Sequence, residues 1–268
     1  MEMNGADVQT LRGAVEKLER QSFAVELANK AGVPLQALMR HLPARAQEQL
    51  GHAVTKTLEH CLQVAMAGLH GERRLGTEPR KRGHTILAGA TGAVGGFFGL
   101  AGLALELPVS TTLMLHSIAE IAANEGEDLG QPEGALACLE VLALGRQGGR
   151  TEALEGAYYA SRAALTQATR EAVAYLAERG VARGGTPALL QFLSKIGARF
   201  GLEVTEKAAA QLVPIAGAVG GAAVNVMFTQ HFQRLAEGHF AVRRMERRYG
   251  AEVVGREYER LRVELPGR

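Results

Sequence analysis

Apolar residues recur at steps of three to five along most of the chain, and this spacing predicts helices. The pattern runs through residues 6–30 and 44–69, and it is clearest in residues 151–179, which end at Gly180. No stretch of the sequence alternates apolar and polar residues between hairpin dipeptides. The sequence therefore predicts an all-α fold, a multi-helix bundle around a central pair of Ala/Gly-rich apolar helices.

Glycine and proline residues predict where these helices begin and end. Pro108 predicts that a new helix begins just after Glu106. Gly201 predicts a break between two helices, and the last helix is expected at residues 239–263. A short helix is also expected at residues 35–42.

Two long stretches carry no charged residue, residues 85–105 and residues 208–233, and each includes the pentapeptide GAVGG. Glycines one helical turn apart let another backbone approach closely, so we expect the two GAVGG helices to pack against each other. A chance repeat in Ala/Gly-rich sequence is the alternative. The predicted packing motif comprises Gly92, Gly95, Gly96, Gly99, Gly217, Gly220 and Gly221.

The length of both runs meets the requirement of ~20 residues for a membrane-spanning helix. Their glycine content, and polar residues such as Gln211 and His231, are atypical of a span. Three alternatives therefore remain for these two stretches: a buried helical hairpin, reversible membrane contact and a true membrane span. Basic residues flank the runs, as at solvated helix ends or beside an anionic membrane: Arg73, Arg74, Arg80, Lys81, Arg82, Arg243, Arg244, Arg247 and Arg248.

Composition narrows the function classes. The 268 residues include 30 Lys or Arg and 28 Asp or Glu, and a net charge of +2 is too small to indicate nucleic-acid binding. The 33 glycines are an excess over the usual ~7%, which we assign to turns, caps and close helix packing.

Cys61 and Cys138 lie in apolar contexts and are expected to be reduced core thiols. The first 20 residues lack the apolar region of a signal peptide, which favours a cytoplasmic location.

Four polar residues in apolar surroundings could form a metal site. His116 and Glu120 are one helical turn apart, and Glu106 and His231 would complete a mixed nitrogen and oxygen set for Zn²⁺, Fe²⁺ or Mn²⁺. The sequence has no HExxH and no ExxH pair, so the usual zinc and di-iron signatures are absent. Histidines that are hydrogen-bonded in the core are the alternative, and the default expectation is no cofactor.

Glu106 and Asn225 are the other polar residues to explain. Glu106 precedes Pro108, where its carboxylate could cap the next helix or pair with a cation, and it could act as an acid or base only if buried alone. Asn225 lies within the second uncharged run and must be hydrogen-bonded if buried. We expect it to fix the register of the core, with backbone carbonyls or Thr111 and Thr112 as partners.

Three stretches carry a family resemblance: residues 104–129, 137–145 and 206–240. The most specific elements are the pattern P-x-x-GAVGGA-x-x-N, which ends at Asn225, and A-x-x-HF at residues 236–240. Over about residues 45–260 the sequence resembles the EcsC protein family. We therefore divide the chain into an N-terminal helical segment, residues 1–44, and an EcsC-like helical domain, residues 45–265.

The resemblance implies a helical protein without an established reaction, associated with membranes or with transport. We expect a non-enzymatic accessory protein that binds anionic lipid at the inner face of the membrane or serves a transport-associated partner. One alternative is a metal-dependent, hydrolase-like enzyme that uses His116, Glu120 and His231. Another is a protein-interaction module in which the charged C-terminal helix makes the contact.

Overall fold

The computed structural model describes residues 3–19, 22–31, 43–69, 99–144, 157–179, 186–212 and 221–265. The predicted all-α bundle is confirmed, since no strand occurs within these ranges. Their helices are, in chain order, α1 (Gly5–Leu18), α2 (Phe23–Ala31), α3 (Ala44–Leu69), α4 (Gly99–Asn124), α5 (Pro132–Glu140), α6 (Ala157–Arg179), α7 (Pro187–Leu212), α8 (Gly221–Tyr249) and α9 (Ala251–Glu264). A 3₁₀ turn, Val141–Ala143, follows α5. The predicted helix at residues 35–42 lies outside the described residues.

Helix α8 is the centre of the bundle and packs against α1, α2, α4, α7 and α9. Its buried face is aromatic, with Phe228, Phe232 and Phe240 each at most 2% exposed. Phe232 also meets Phe200 of α7 edge to face, with ring centroids 5.7 Å apart. Each such ring contributes roughly 1.5–3 kcal/mol when it leaves water, which makes α8 the main hydrophobic contact of the fold.

Helices α4 and α8 run in the same direction. The Gln233 amide of α8 donates to the Ser117 hydroxyl of α4 at 2.8 Å. Ten residues further along both segments, Arg243 donates to Glu127 at 2.9 Å. Because the contacts advance together along the two segments, α4 and α8 begin at the same end of the bundle.

Helix α7 runs in the opposite direction to α8. Lys207, near the end of α7, contacts Asn225 near the start of α8. Glu203, one turn earlier in α7, lies 3.5 Å from His231, further along α8. Helix α7 therefore ends where α4 and α8 begin, and we call this the Lys207 end of the bundle.

Four predicted helix boundaries are wrong. Helix α4 continues through Pro108, and α7 continues through Gly201. Residues Leu107, Phe200 and Val204 are completely buried, and this packing outweighs the cost of an internal glycine, which is about 1 kcal/mol, or of a proline, about 3 kcal/mol.

The third wrong boundary lies near the C-terminus, where the single helix expected at residues 239–263 is divided at Gly250. Gly250 has a φ of +87°, a left-handed conformation that favours glycine. The periodic pattern at residues 6–30 is likewise divided, because α1 ends at Leu18 and α2 begins at Phe23.

Helix α1 packs along α8 at a glycine outside both GAVGG copies. A Cβ atom built on Gly238 would lie 2.6 Å from Cγ of Leu18 and 3.1 Å from the carbonyl oxygen of Ala14. The two helices can approach this closely only because position 238 has no side chain. The segment that the sequence analysis set apart as residues 1–44 therefore contributes α1 to the same bundle.

Both cysteines are free and buried, as expected from the sequence. Burial raises the pKa of Cys61 and of Cys138 to about 12. At neutral pH both thiols are therefore protonated and shielded from reagents in the folded protein.

Candidate functional site

A lysine is completely buried at the Lys207 end. Its ammonium nitrogen lies 2.6 Å from the amide oxygen of Asn225 and 3.2 Å from Oε1 of Glu106. The same nitrogen is 4.9 Å from the ring centroid of Phe228, a cation–π distance. Lys207, Glu106 and Asn225, which we call the lysine cluster, join the end of α7 to the first turns of α4 and α8.

The charges of this cluster are only partly compensated. Burial lowers the pKa of Lys207, while the charge and hydrogen bond of Glu106 act in the opposite direction. The second oxygen of Glu106 is buried without a hydrogen-bond partner among the described residues. A buried ion pair with an unsatisfied oxygen contributes little net stability, yet removing one partner alone is strongly destabilising.

The sequence analysis identified two of the three members. Glu106 is paired with a cation, one of its expected roles, and does not cap a helix because α4 continues past it. Asn225 is buried and accepts a hydrogen bond from Lys207, a partner that the sequence alone did not indicate. Lys207 was missed. Its signal is a charged residue at the boundary of the second uncharged run, next to Ala208 and one turn from Val204.

Two exposed apolar side chains lie close to the lysine cluster. Val109, one turn after Glu106 in α4, is 52% exposed, and Leu202, five residues before Lys207 in α7, is 51% exposed. Since α4 and α7 run in opposite directions and meet at Glu106 and Lys207, both lie roughly 5–8 Å along the axes from that contact, toward the middle of the bundle. Exposed hydrophobic residues thus lie on the sides of α4 and α7, close to the buried ion pair.

Three of the four predicted metal ligands have different partners. His116 donates from Nδ1 to the carbonyl of Thr112 at 2.8 Å, and His231 lies 3.5 Å from Glu203. Glu106 belongs to the lysine cluster, and Glu120 lies one turn after His116 on α4. Among the described residues, no group of three or more His, Cys, Asp or Glu side chains is placed to hold a metal ion.

The four C-terminal arginines predicted to face a membrane are paired with carboxylates. Arg243 lies 18 residues after Asn225 in α8, about 27 Å along the helix from the Lys207 end. Burial alone would raise the pKa of Glu127, but the hydrogen bonds and charges of two of these arginines lower it. Each arginine forms an ion pair with a residue from another element: Arg243 and Arg247 with Glu127, Arg244 with Glu125 and Arg248 with Asp7.

A second polar cluster surrounds His239, the histidine of the A-x-x-HF pattern. Arg162 donates to the Tyr158 hydroxyl at 3.2 Å and binds Glu246 through two hydrogen bonds of 2.7 and 3.0 Å. The Tyr158 hydroxyl therefore donates to Nδ1 of His239, 3.0 Å away. Burial, reinforced by the charges of Arg162 and Arg243, holds the pKa of His239 well below its usual range, so this ring is neutral at pH 7.

The structure describes two members of the glycine packing motif, Gly99 and Gly221, which are the first residues of α4 and α8. The helices that follow the two GAVGG copies pack against each other. Packing between the copies themselves stays a prediction. The remaining members and the first basic flank lie outside the described residues: Gly92, Gly95, Gly96, Gly217, Gly220, Arg73, Arg74, Arg80, Lys81 and Arg82.

The parallel pair α4 and α8, packed against the other described helices, defines a protein of the all-α bundle class. The chain belongs to the EcsC protein family, whose sequence model matches residues 7–245. The match begins within α1, so it also covers most of the segment assigned to residues 1–44. Comparison with curated proteins and with solved structures gave no match. No helix in the described ranges is long and apolar enough to cross a membrane.

Proposed function

We propose that this protein is a non-enzymatic accessory protein that binds anionic membrane lipid reversibly through its Lys207 end, at the inner face of the membrane. The observation that supports this most directly is the common direction of α4 and α8. Because both helices begin at the Lys207 end, the described parts of the two uncharged stretches, residues 99–105 and 221–233, form the starts of two neighbouring helices.

The exposed apolar residues add to this proposal. Val109 and Leu202 lie in the halves of α4 and α7 that are nearer the Lys207 end, and each is about half exposed. Each would gain free energy by leaving water for the lipid boundary, at roughly 25 cal/mol per Å² of apolar surface buried. Their position supports lipid contact along the sides of α4 and α7 next to the Lys207 end.

Charge supports anionic lipid as the target. The basic connector, residues 71–84, directly precedes the first uncharged run and contains five Lys or Arg residues. Each basic residue near an anionic surface contributes about 1 kcal/mol. The C-terminal arginines do not enter the proposal, because they lie at the opposite end of α8 and are paired with carboxylates.

Flotation with lipid vesicles tests the proposal. The wild-type protein is expected to float with vesicles that contain anionic phospholipid and to stay at the bottom of the gradient with purely zwitterionic vesicles. The double variant Val109→Ser/Leu202→Ser is expected to float at least threefold less. Because both positions are exposed, its fold stability is expected to change little.

A matched control uses two exposed apolar residues away from the Lys207 end. Leu190 is 47% exposed near the start of α7, and Val263 is 76% exposed in α9. The double variant Leu190→Ser/Val263→Ser should float like the wild type. Absence of wild-type flotation with anionic vesicles, or equal flotation of the two double variants, contradicts the proposal.

A further inference from the structure

A groove separates α3 and α7 on the surface of the bundle. It encloses about 560 Å³ and is lined by residues from 48–59 of α3 and 190–201 of α7. Each wall spans 11 residue steps, or about 16 Å, which equals three turns of a helix. The volume lies within the range of about 300–1,000 Å³ that is usual for ligand sites.

The floor of the groove is open because glycines replace side chains on both walls. Cβ atoms built on Gly51 and on Gly201 would meet nothing within 4 Å. Gly197, one turn before Gly201, instead packs against Leu58, which closes the bottom of the groove. Glycines at this spacing allow the backbone of another helix to approach closely.

The rim of the groove is acidic. Glu48 and Glu59 are exposed on α3, and among the described residues no ion pair engages either carboxylate. The basic residues of α7 are turned toward other elements: Lys195 donates to the carbonyl of Ala164, and Arg199 donates to the carbonyl of Ala143. His52 is the other titratable residue of the lining, while Arg45 and Lys56 of α3 are exposed outside it.

We propose that this groove docks a basic amphipathic helix of a partner protein. The bound face would be a ridge of small and apolar residues about three turns long, with Lys or Arg on either side to pair with Glu48 and Glu59. An acyl chain fits less well, because the acidic headgroup of a fatty acid or anionic lipid would lie beside two carboxylates. The groove ends at Gly201, next to Leu202, and the inference adds a protein partner to the lipid-binding role, tested below without lipid.

Peptide binding tests the inference. The probe is a fluorescent helical peptide of about 14 residues, or four turns, with an Ala/Leu ridge flanked by lysines, and the comparison peptide carries glutamates in place of the lysines. Fluorescence anisotropy is expected to show at least tenfold tighter binding of the lysine peptide to the wild-type protein. Gly201→Leu, which fills the groove, should weaken that binding at least tenfold.

Two further variants make the result specific. Gly13→Leu adds the same side chain at another helical glycine with open space around it, and it should bind the lysine peptide within twofold of the wild type. The charge reversal Glu48→Lys/Glu59→Lys should also weaken binding at least tenfold and reduce its salt dependence. This variant tests the groove even if Gly201→Leu does not fold.

Three outcomes would overturn the inference. One is equal binding of the two peptides to the wild-type protein. Another is wild-type affinity in both Gly201→Leu and the charge reversal. The third is that the groove binds a different occupant. A fatty acid as occupant would be seen if a 16-carbon fatty acid displaces the peptide, and a second copy of the chain would be seen as a dimer in sedimentation that Gly201→Leu converts to monomer.

Discussion

Lys207→Met is the change that most directly tests the lysine cluster. The substitution keeps most of the volume of the side chain and removes its charge, which leaves the Glu106 carboxylate buried, with 4% of its side chain exposed, without its cation. Breaking a buried ion pair in this way costs about 3–5 kcal/mol. We therefore expect the free energy of unfolding at pH 7 to fall by about 3–5 kcal/mol, measured by urea denaturation followed by circular dichroism.

The size of this destabilisation depends on whether the Glu106 carboxylate is still present. In the double variant Lys207→Met/Glu106→Leu no unpaired charge remains, and replacing a buried pair by apolar residues is often neutral or stabilising by 1–4 kcal/mol. Asn225 loses a hydrogen bond in both variants, which costs about 1–3 kcal/mol. The double variant is therefore expected to be more stable than Lys207→Met alone, although it carries one more substitution.

The pH dependence has a defined sign. Burial lowers the pKa of Lys207, so in the wild type the unfolded state binds more protons than the native state, and stability rises as the pH rises toward about 10. Lys207→Met lacks this gain, so its free energy of unfolding should fall further below that of the wild type as the pH rises from 7 toward about 10. Lys195→Met, a lysine at the surface of the same helix, should cost less than about 1 kcal/mol. Equal costs for the two variants, or a difference between Lys207→Met and the wild type that does not change with pH, would refute the reasoning.

Three further predictions concern the rest of the fold. Gly238→Ala places a methyl group against α1 and should lower the free energy of unfolding by about 1–3 kcal/mol, whereas Gly13→Ala, with open space around it, should raise it by up to about 1 kcal/mol, both measured by urea denaturation. Because the pKa of His239 is far lower in the native state, the unfolded state binds more protons below about pH 6.5, and stability falls with decreasing pH by up to about 1.4 kcal/mol per unit. His239→Asn should reduce that slope between pH 6.5 and 5. Cys61 and Cys138 should react with a thiol reagent such as DTNB only after unfolding.

Each of these predictions can fail clearly. Equal stability changes for the two glycine variants would contradict the close approach of α1 and α8. Burial raises the pKa of Glu140, and this shift makes stability change with pH in the opposite direction to His239. The quantity to compare is therefore the pH slope of the unfolding free energy in His239→Asn and in the wild type. An unchanged slope would show that His239 does not titrate as proposed. Rapid thiol reaction in the native protein would contradict the burial of both cysteines.

The local pattern was sufficient for the fold class and for some helix bounds. Helix α3 was expected at residues 44–69 and occupies Ala44–Leu69, because its apolar period is regular and uninterrupted. A glycine in the sequence did not by itself predict the end of a helix, because α7 continues through Gly201 whereas α8 ends just before Gly250. The difference depends on tertiary packing and on a left-handed φ, neither of which is a property of the neighbouring sequence.

The site was less predictable, because its contacts join residues that are distant in the chain. Lys207 and Glu106 are 101 residues apart, and a lysine between Glu206 and a run of alanines gives no local indication of that distant partner. The C-terminal arginines resembled a membrane flank for the same reason. Arg248, for example, pairs with Asp7, 241 residues away.

Lipid contact next to the Lys207 end is measured most directly with a fluorescent label on Val109→Cys, quenched by vesicles that contain brominated anionic phospholipid. The label can be directed to this position because both native thiols are buried. We expect strong quenching at position 109 and little at the control Val263→Cys, which is exposed in α9. Equal quenching at the two positions, or none at position 109, would contradict this contact.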